Sequence, residues 1–409
     1  MRLNKRIIFV FLILLLNIHS LQAQDKTKNP SFIPIGYLEI LCSYSDIDKG
    51  RSLWGYDVWG YFSPIIKLSD TLTLIPLYNG EFQRMRQYVS QEEGGRFYQT
   101  SQIHNISLCL RKEFKPGWFF KITPFGTWNY LKETKDEKWG KGLYDYRDAG
   151  CRFGLRHNFG EDSTFNVSTE YFHRKYPNFK SLIYLATQQN VDKNEKDFDA
   201  VKFSFSVSKE EPVKMEILFY IMLKYFTDKH LVREDGTLDV NNKRRDEVYN
   251  LDFNFTFPLR DNISFCLNNT FFFNHSNLGF YDSKNTLTLS DDYFNSKYYT
   301  YWYYFIFPHL IYYLPLSEKK YVEFKLGYSL LFRKYLYRKA QTEDGIYGTK
   351  RQRDLEHTIH FSLKWPLTRK INWILKFNYT LCRSNQRYEA YYRYRYDIYQ
   401  IRAGFSFQL

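Results

Sequence analysis

The sequence predicts an all-β protein, a closed antiparallel transmembrane β-barrel of about sixteen strands with short periplasmic turns and long extracellular loops. Three observations predict this fold. Long segments alternate apolar and polar residues, the connections between them alternate in length, and 20% of the 409 residues are aromatic. The 20 glycines and 12 prolines are too few for a collagen-like or low-complexity chain.

The first residues have the pattern of a targeting segment. Three basic residues precede an unbroken apolar run at residues 7–16, which is too short to cross a bilayer as a helix. Ala23 supplies the small residue of a cleavage site. We therefore predict a secretory signal peptide at residues 1–23, a short periplasmic segment at residues 24–35 and an outer-membrane barrel at residues 36–409.

The alternating segments are long enough to cross a bilayer. In residues 201–207, 251–257 and 359–365, apolar residues occupy every second position, which places them all on one face of a strand. The segments match the roughly 9–11 residues of a tilted membrane-spanning strand. Sixteen such strands are predicted to begin near Gly36, Leu53, Thr71, Gln99, Gly117, Tyr144, Thr164, Phe198, Val213, Glu247, Asn262, Tyr298, Tyr321, Asp354, Ile371 and Tyr392.

The connections between these segments alternate in length. Seven are short, and short turns at one end with long loops at the other are typical of bacterial outer-membrane barrels. An even strand count places both termini on the periplasmic side. Pro64 and Pro76 interrupt the alternation, so counts of fourteen and eighteen stay open. Long polar loops are predicted at residues 91–96, 133–141, 178–195, 227–243, 274–296 and 340–351.

The end of the chain carries a second alternating pattern. Phe405, Phe407 and Leu409 fall on one face of the last strand, and this ending resembles the C-terminal strand by which barrels are recognised for outer-membrane insertion. These three residues are the predicted assembly signal, although a terminal aromatic residue is commoner than leucine.

A wider resemblance covers residues 353–409 only. This stretch resembles the end of outer-membrane barrel porins that accompany surface-polysaccharide and surface-lipoprotein export, and it implies a barrel of that kind. The resemblance is carried by Arg353-Asp354, Ser384-Asn385, Tyr396-Asp397, Tyr399 and the run from Gly404 to Phe407.

The last strand also assigns the two faces of the barrel. If Phe405 and Phe407 face lipid, Arg402 faces the lumen; an arginine or lysine facing lipid at the bilayer midplane would cost about 2–4 kcal/mol. The same rule places only four acids inside, namely Glu323, Glu216, Glu170 and Asp252. It places thirteen cations inside, of which the first nine are the predicted selectivity residues: Lys364, Lys376, Arg402, Lys325, Arg333, Lys202, Lys214, Arg152, Arg156, Lys224, Arg174, Lys121 and Arg111.

Patterns for catalysis are weak. His360 and Ser362 lie on one face of a strand, a relation similar to that in outer-membrane phospholipases, but their alternation with Ile359 and Phe361 points the pair into the barrel. The five cysteines have no zinc-binding spacing. The sequence predicts no enzyme, no cofactor and no metal site.

These observations predict a porin-like channel in the cell outer membrane that passes polar, mainly anionic solutes through a basic lumen. Two alternatives stay open: an exporter of surface polysaccharide, and a non-conducting accessory barrel of an envelope complex. The expected partners are outer-membrane lipids and lipopolysaccharide, the barrel-assembly machinery, and anionic solutes or glycans. A signal peptide argues against nucleic acid as a partner.

Overall fold

A computed structural model describes most of the chain downstream of the predicted signal peptide, which itself lies outside the described residues. The predicted periplasmic segment is described from residue 31 onward. No helix in this part of the chain is long and apolar enough to cross a membrane. The described residues are 31–48, 52–84, 87–90, 95–98, 100–134, 136–179, 194–282, 293–318, 320–389 and 392–409.

Sixteen long strands form one antiparallel sheet that closes on itself. Each strand pairs with the next along the chain, and the last pairs with the first. The predicted closed barrel is therefore confirmed, with sixteen strands. They are β1 (Gly36–Ile47), β2 (Leu53–Phe62), β3 (Leu72–Gln83), β4 (Thr100–Lys115), β5 (Trp118–Lys132), β6 (Tyr146–Phe159), β7 (Ser163–Lys175), β8 (Phe198–Lys209), β9 (Lys214–Val232), β10 (Leu238–Arg260), β11 (Ile263–Ser276), β12 (Tyr301–Ser317), β13 (Lys320–Gln341), β14 (Tyr347–Pro366), β15 (Ile371–Ser384) and β16 (Tyr396–Gln408).

The short connections all lie at one end of the barrel. In the β4–β5 and β6–β7 turns, Gly117 and Gly160 have φ angles of 76° and 71°, a left-handed conformation that glycine adopts without a side-chain clash. The β2–β3 connection contains the short strand Ile65–Lys67, which pairs with Phe32–Ile33 ahead of β1. This end holds both barrel termini, as the even strand count requires.

Two predicted long loops are mostly strand. Residues 227–243 belong largely to the β9–β10 hairpin, and residues 340–351 largely to the β13–β14 hairpin. The ladders shift register between Tyr225 and His230 and between Lys334 and Lys339, as β-bulges do. The prediction was wrong because it required apolar alternation, which a hairpin that extends beyond the bilayer into water does not need.

The outward face of the barrel is an apolar band. Phe153, Phe203, Leu326 and Ile401 leave 48%, 50%, 58% and 46% of their surfaces uncovered. A continuous apolar band around a water-soluble protein would promote aggregation, whereas in a bilayer it is the surface that contacts lipid. The structure is therefore that of a transmembrane barrel.

The closing ladder between β16 and β1 depends on a glycine. Gly404 lies opposite Leu41 in β1 and Ile374 in β15. A Cβ atom on Gly404 would lie 2.0 Å from the carbonyl oxygen of Ile40, whereas a Cβ atom on Gly154 in β6 would have no neighbour closer than 3.7 Å. A side chain at Gly404 therefore requires the two terminal strands to move apart.

We expect Gly404→Ala to impair barrel closure, because the added methyl group overlaps the backbone of β1. Gly154→Ala is the matched control and should fold like the wild type. The outer membranes of cells expressing each variant are isolated and run on gels without heating. The measurement is the proportion of the protein that migrates as a compact species. Equal compact fractions for the two variants would contradict the requirement for glycine in the ladder between β16 and β1.

Candidate functional site: the inner wall of the barrel

The inner wall carries polar side chains that bond to one another between neighbouring strands. The Thr127 hydroxyl donates to the Asn105 side-chain oxygen at 2.8 Å, and the hydroxyls of Thr358 and Thr380 lie 3.0 Å apart. A wall that satisfies its own polar groups in this way suits a water-filled interior.

Four cations form a cluster on the wall of β4, β5 and β6. Arg111 and Lys121 lie directly opposite each other in the β4–β5 ladder, and Lys121 lies opposite Gly154 in the β5–β6 ladder. Arg152 and Arg156 are two residues before and after Gly154, so they share its face. These four residues, Arg111, Lys121, Arg152 and Arg156, are here called the cation cluster, and they surround a position without a side chain.

The cation cluster is only partly neutralised. Arg152 forms an ion pair with Glu170 on β7. Within the described residues, the other three cations form no ion pair. Arg156 Nε donates to Asn158 at 2.8 Å, and the Arg111 guanidinium lies 5.1 Å from the Phe119 ring centroid. The cluster therefore retains positive charge that faces the interior.

One further carboxylate shares the inner face next to the cluster. Glu113 lies two residues from Arg111 on β4 and accepts the Gly117 backbone N–H at 3.0 Å. This bond holds the carboxylate toward the β4–β5 turn. With four cations and the two carboxylates of Glu113 and Glu170, this part of the wall keeps a net positive charge.

The closing seam is the part of the wall where β15 and β16 meet β1 and β2. There, in contrast, the cations are paired with acids. Lys376 on β15 contacts Glu39 on β1. Arg402 on β16 lies 3.4 Å from the Asp57 carboxylate on β2. The basic patch predicted from Lys364, Lys376 and Arg402 is therefore largely neutralised.

The acids of the seam were missed by the sequence interpretation, which counted only four inward acids. The signal was present, because Glu39 alternates with the apolar residues Leu38 and Ile40. What the sequence does not state is that residues 337 positions apart, Glu39 and Lys376, become neighbours when the barrel closes.

The remaining predicted selectivity residues are spread around the wall and mostly contact aromatic rings. The Lys325 and Lys202 ammonium groups lie 5.0 Å and 4.3 Å from ring centroids, and the Arg333 guanidinium lies 5.5 Å from one. The rings belong to Phe307, Tyr220 and Tyr301, respectively. These contacts stabilise a cation without removing its charge.

Two predicted selectivity residues lie near the short-turn end. Lys214 forms an exposed ion pair with Glu210 at 2.7 Å. Lys364 lies opposite Glu323 in the β13–β14 ladder and opposite Ile374 in the β14–β15 ladder. Neither residue belongs to the cation cluster, which among the nine selectivity residues contains only Arg152 and Arg156.

A hydrogen-bonded chain of serine, histidine and asparagine crosses three strands. His360 contacts the Ser329 hydroxyl through Nε2 and the Asn378 side chain through Nδ1, both at 3.0 Å. The partner of His360 is thus Ser329 on the neighbouring strand, not Ser362. Ser329 leaves 6% of its surface exposed, and we interpret the chain as part of the wall.

Comparisons with known proteins find structures of similar overall shape but do not identify a function. No protein-family model and no curated protein matches the sequence. Among solved structures, the chain is similar to OccD3 (OpdP) of Pseudomonas aeruginosa, with a TM-score of 0.47, 10% identity and coverage of 94% of this chain and 93% of that one.

Two further solved structures have similar values. An anion-selective porin from Comamonas acidovorans has a TM-score of 0.46 and 9% identity, with 93% of this chain and 100% of that chain covered. A bacterial polysaccharide outer-membrane secretin has a TM-score of 0.43 and 8% identity, with 92% and 98% covered. At such low similarity, no property of these proteins is transferred to this chain.

We expect the seam pair to contribute more to stability than an exposed pair. Asp57→Ala leaves Arg402 without its carboxylate partner. The side chains of Arg402 and Asp57 are mostly buried, with 20% and 9% of their surfaces exposed, so the change should lower the free energy of unfolding by up to about 3 kcal/mol. Glu210→Ala breaks the exposed pair with Lys214, 59% and 57% exposed, and should cost less than about 1 kcal/mol. The unfolding midpoint in denaturant measures both, and equal losses would argue against the seam pair.

Proposed function

We propose that the protein is an outer-membrane channel that passes polar, mainly anionic solutes. The observation that carries the proposal is the cation cluster on the inner wall. Lys121, Arg152 and Arg156 flank Gly154, where a Cβ atom would have no neighbour closer than 3.7 Å. This leaves room for a small anion beside two unpaired cations, Lys121 and Arg156, and the paired Arg152. This position also exposes backbone, which is accessible where a glycine lies in a strand.

The electrostatic argument rests on incomplete neutralisation. A cation next to a low-dielectric protein wall produces a stronger potential than it would in open water, which concentrates mobile anions near it. Salt screens this potential over about 8–10 Å at 0.1–0.15 M ionic strength. The seam contributes less, because Glu39 and Asp57 offset Lys376 and Arg402.

The proposed location in the outer membrane follows from the type of membrane fold. A closed barrel of antiparallel strands with an even count is the architecture of bacterial outer-membrane proteins, and the sequence begins with the pattern of a secretory signal. Phe405, Phe407 and Leu409 leave 44%, 38% and 55% of their surfaces exposed, so they are accessible to the barrel-assembly machinery proposed to recognise them.

We expect the purified protein to form pores in planar bilayers that prefer chloride to potassium, more strongly in dilute salt. Changing Arg111, Lys121 and Arg156 together to Gln should lower the chloride preference, because these three cations have no carboxylate partner among the described residues. Reversal potential under a potassium chloride gradient measures the preference.

The control is a second variant that loses the same charge elsewhere. Lys350, Arg353 and Arg395 lie on the extracellular rim, and changing them to Gln should leave selectivity close to that of the wild type. A cation-selective wild type would refute the proposal. Absence of conductance would favour the accessory-barrel alternative. Conductance without ion preference would contradict the anion-selective channel and favour the polysaccharide-export alternative.

A further inference from the structure

The outer face of the barrel has a cationic cleft at the extracellular ends of β13, β14 and β15. The cleft encloses about 840 Å³, and none of its described lining residues is acidic. Five of them carry positive charge, and these five are here called the rim cations: Lys350, Arg353, Arg383, Arg387 and Arg395. All five side chains are exposed.

The rim cations are only partly neutralised. Arg383 pairs with Asp397 at 2.9 Å, and Arg387 lies 3.9 Å from Glu343 in an exposed pair. Lys350, Arg353 and Arg395 form no ion pair within the part of the chain that the structure describes. The cleft therefore presents three cations without an ion pair, while Arg387 is loosely paired and Arg383 is firmly paired. Its acidic neighbours, Asp48, Glu343, Glu389 and Asp397, line an adjoining pocket together with Arg383, Arg387 and Arg395.

The floor of the cleft is continuous with the lipid-facing band. Phe332 on β13 lies opposite Leu355 on β14, which in turn lies opposite Arg383 on β15. Leu355 shares its strand face with Ile359, which leaves 47% of its surface exposed on the outer face. These three outward side chains form one row across the strands, and the row changes from apolar to cationic between β14 and β15.

The next row toward the extracellular end is cationic. Lys334 lies directly opposite Arg353, two residues beyond Phe332 and Leu355 along each strand. Two residues of strand advance about 6.6 Å, so Arg353 and its neighbour Lys334 lie one such step beyond the apolar row. This spacing matches a bilayer, where hydrocarbon gives way to charged headgroups over a similar short distance.

We propose that this cleft binds a phosphorylated glycolipid of the outer leaflet, with its phosphate on the rim cations and its acyl chains against Phe332 and Leu355. Arginine is suited to phosphate because its planar guanidinium donates two parallel hydrogen bonds. Free phosphate would use the same cations, but it gives no reason for an apolar row that joins the cleft to the membrane face. The proposal does not depend on whether the barrel conducts.

The test uses the full-length barrel in detergent and native mass spectrometry with lipid A as the probe. Wild type should retain phosphorylated lipid A and should bind dephosphorylated lipid A at least about tenfold more weakly, since it loses the charge-assisted bonds. The combined substitution Lys350→Gln, Arg353→Gln and Arg395→Gln should weaken binding of phosphorylated lipid A by a similar factor.

The matched control is the lumen variant in which Arg111, Lys121 and Arg156 are changed to Gln. It loses the same charge and should bind lipid A like the wild type. If the triple rim variant fails to insert, the single change Arg395→Gln, which lies outside the barrel strands, should still weaken binding several-fold.

Three results would overturn the proposal. These are equal binding of phosphorylated and dephosphorylated lipid A, unchanged binding by a folded rim variant, and complete displacement of lipid A by millimolar inorganic phosphate. The last result would identify a site for free phosphate instead.

Discussion

Every backbone amide and carbonyl group that meets lipid must find its hydrogen-bond partner within the protein, because hydrocarbon offers none. In this chain the requirement is met by a ring of sixteen strands whose last member pairs with the first. An open sheet of the same strands would leave two unpaired edges in the membrane. Closure also constrains Gly404, because a Cβ atom there would lie 2.0 Å from the Ile40 carbonyl oxygen of the first strand.

Ring closure also determines where charge is neutralised. Glu39 and Asp57 lie on the first two strands, and Lys376 and Arg402 lie on the last two, so these groups meet only because the barrel is closed. The cation cluster on β4 to β6 has neighbours close in sequence, and few of these neighbours are acidic. The wall is therefore electrostatically uneven, with a paired seam and a cationic sector near Gly154.

The same alternation of side chains places both apolar and basic side chains on the outer face. Along β13 and β14 the outward positions are apolar at Phe332 and Leu355 and become basic at Lys334 and Arg353. The strand keeps its two-residue period across this change, so apolar and charged side chains occupy one face at two depths. One periodic pattern thus produces a polar wall on the inside and, on the outside, a surface that changes from apolar to basic along the strands.

The sequence by itself determined the barrel and the outward direction of its apolar side chains, because period-two alternation is local and survives in each strand independently. It favoured sixteen strands but left fourteen and eighteen open, and the closed ladder decided the number. Phe405 and Phe407 could be assigned to the outer face from six residues of sequence. The length of the β9–β10 and β13–β14 hairpins could not, because pairing beyond the bilayer leaves no apolar pattern.

The tertiary structure alone decided which charges face one another. Arg402 and Asp57 are 345 residues apart, and their contact depends on closure and on the register of the seam. A shift of one residue in that register would move every side chain of β16 to the other face relative to β1. Neutralisation of charge at the seam is therefore a property of the closed ring, whereas the two faces of each strand are a property of the sequence.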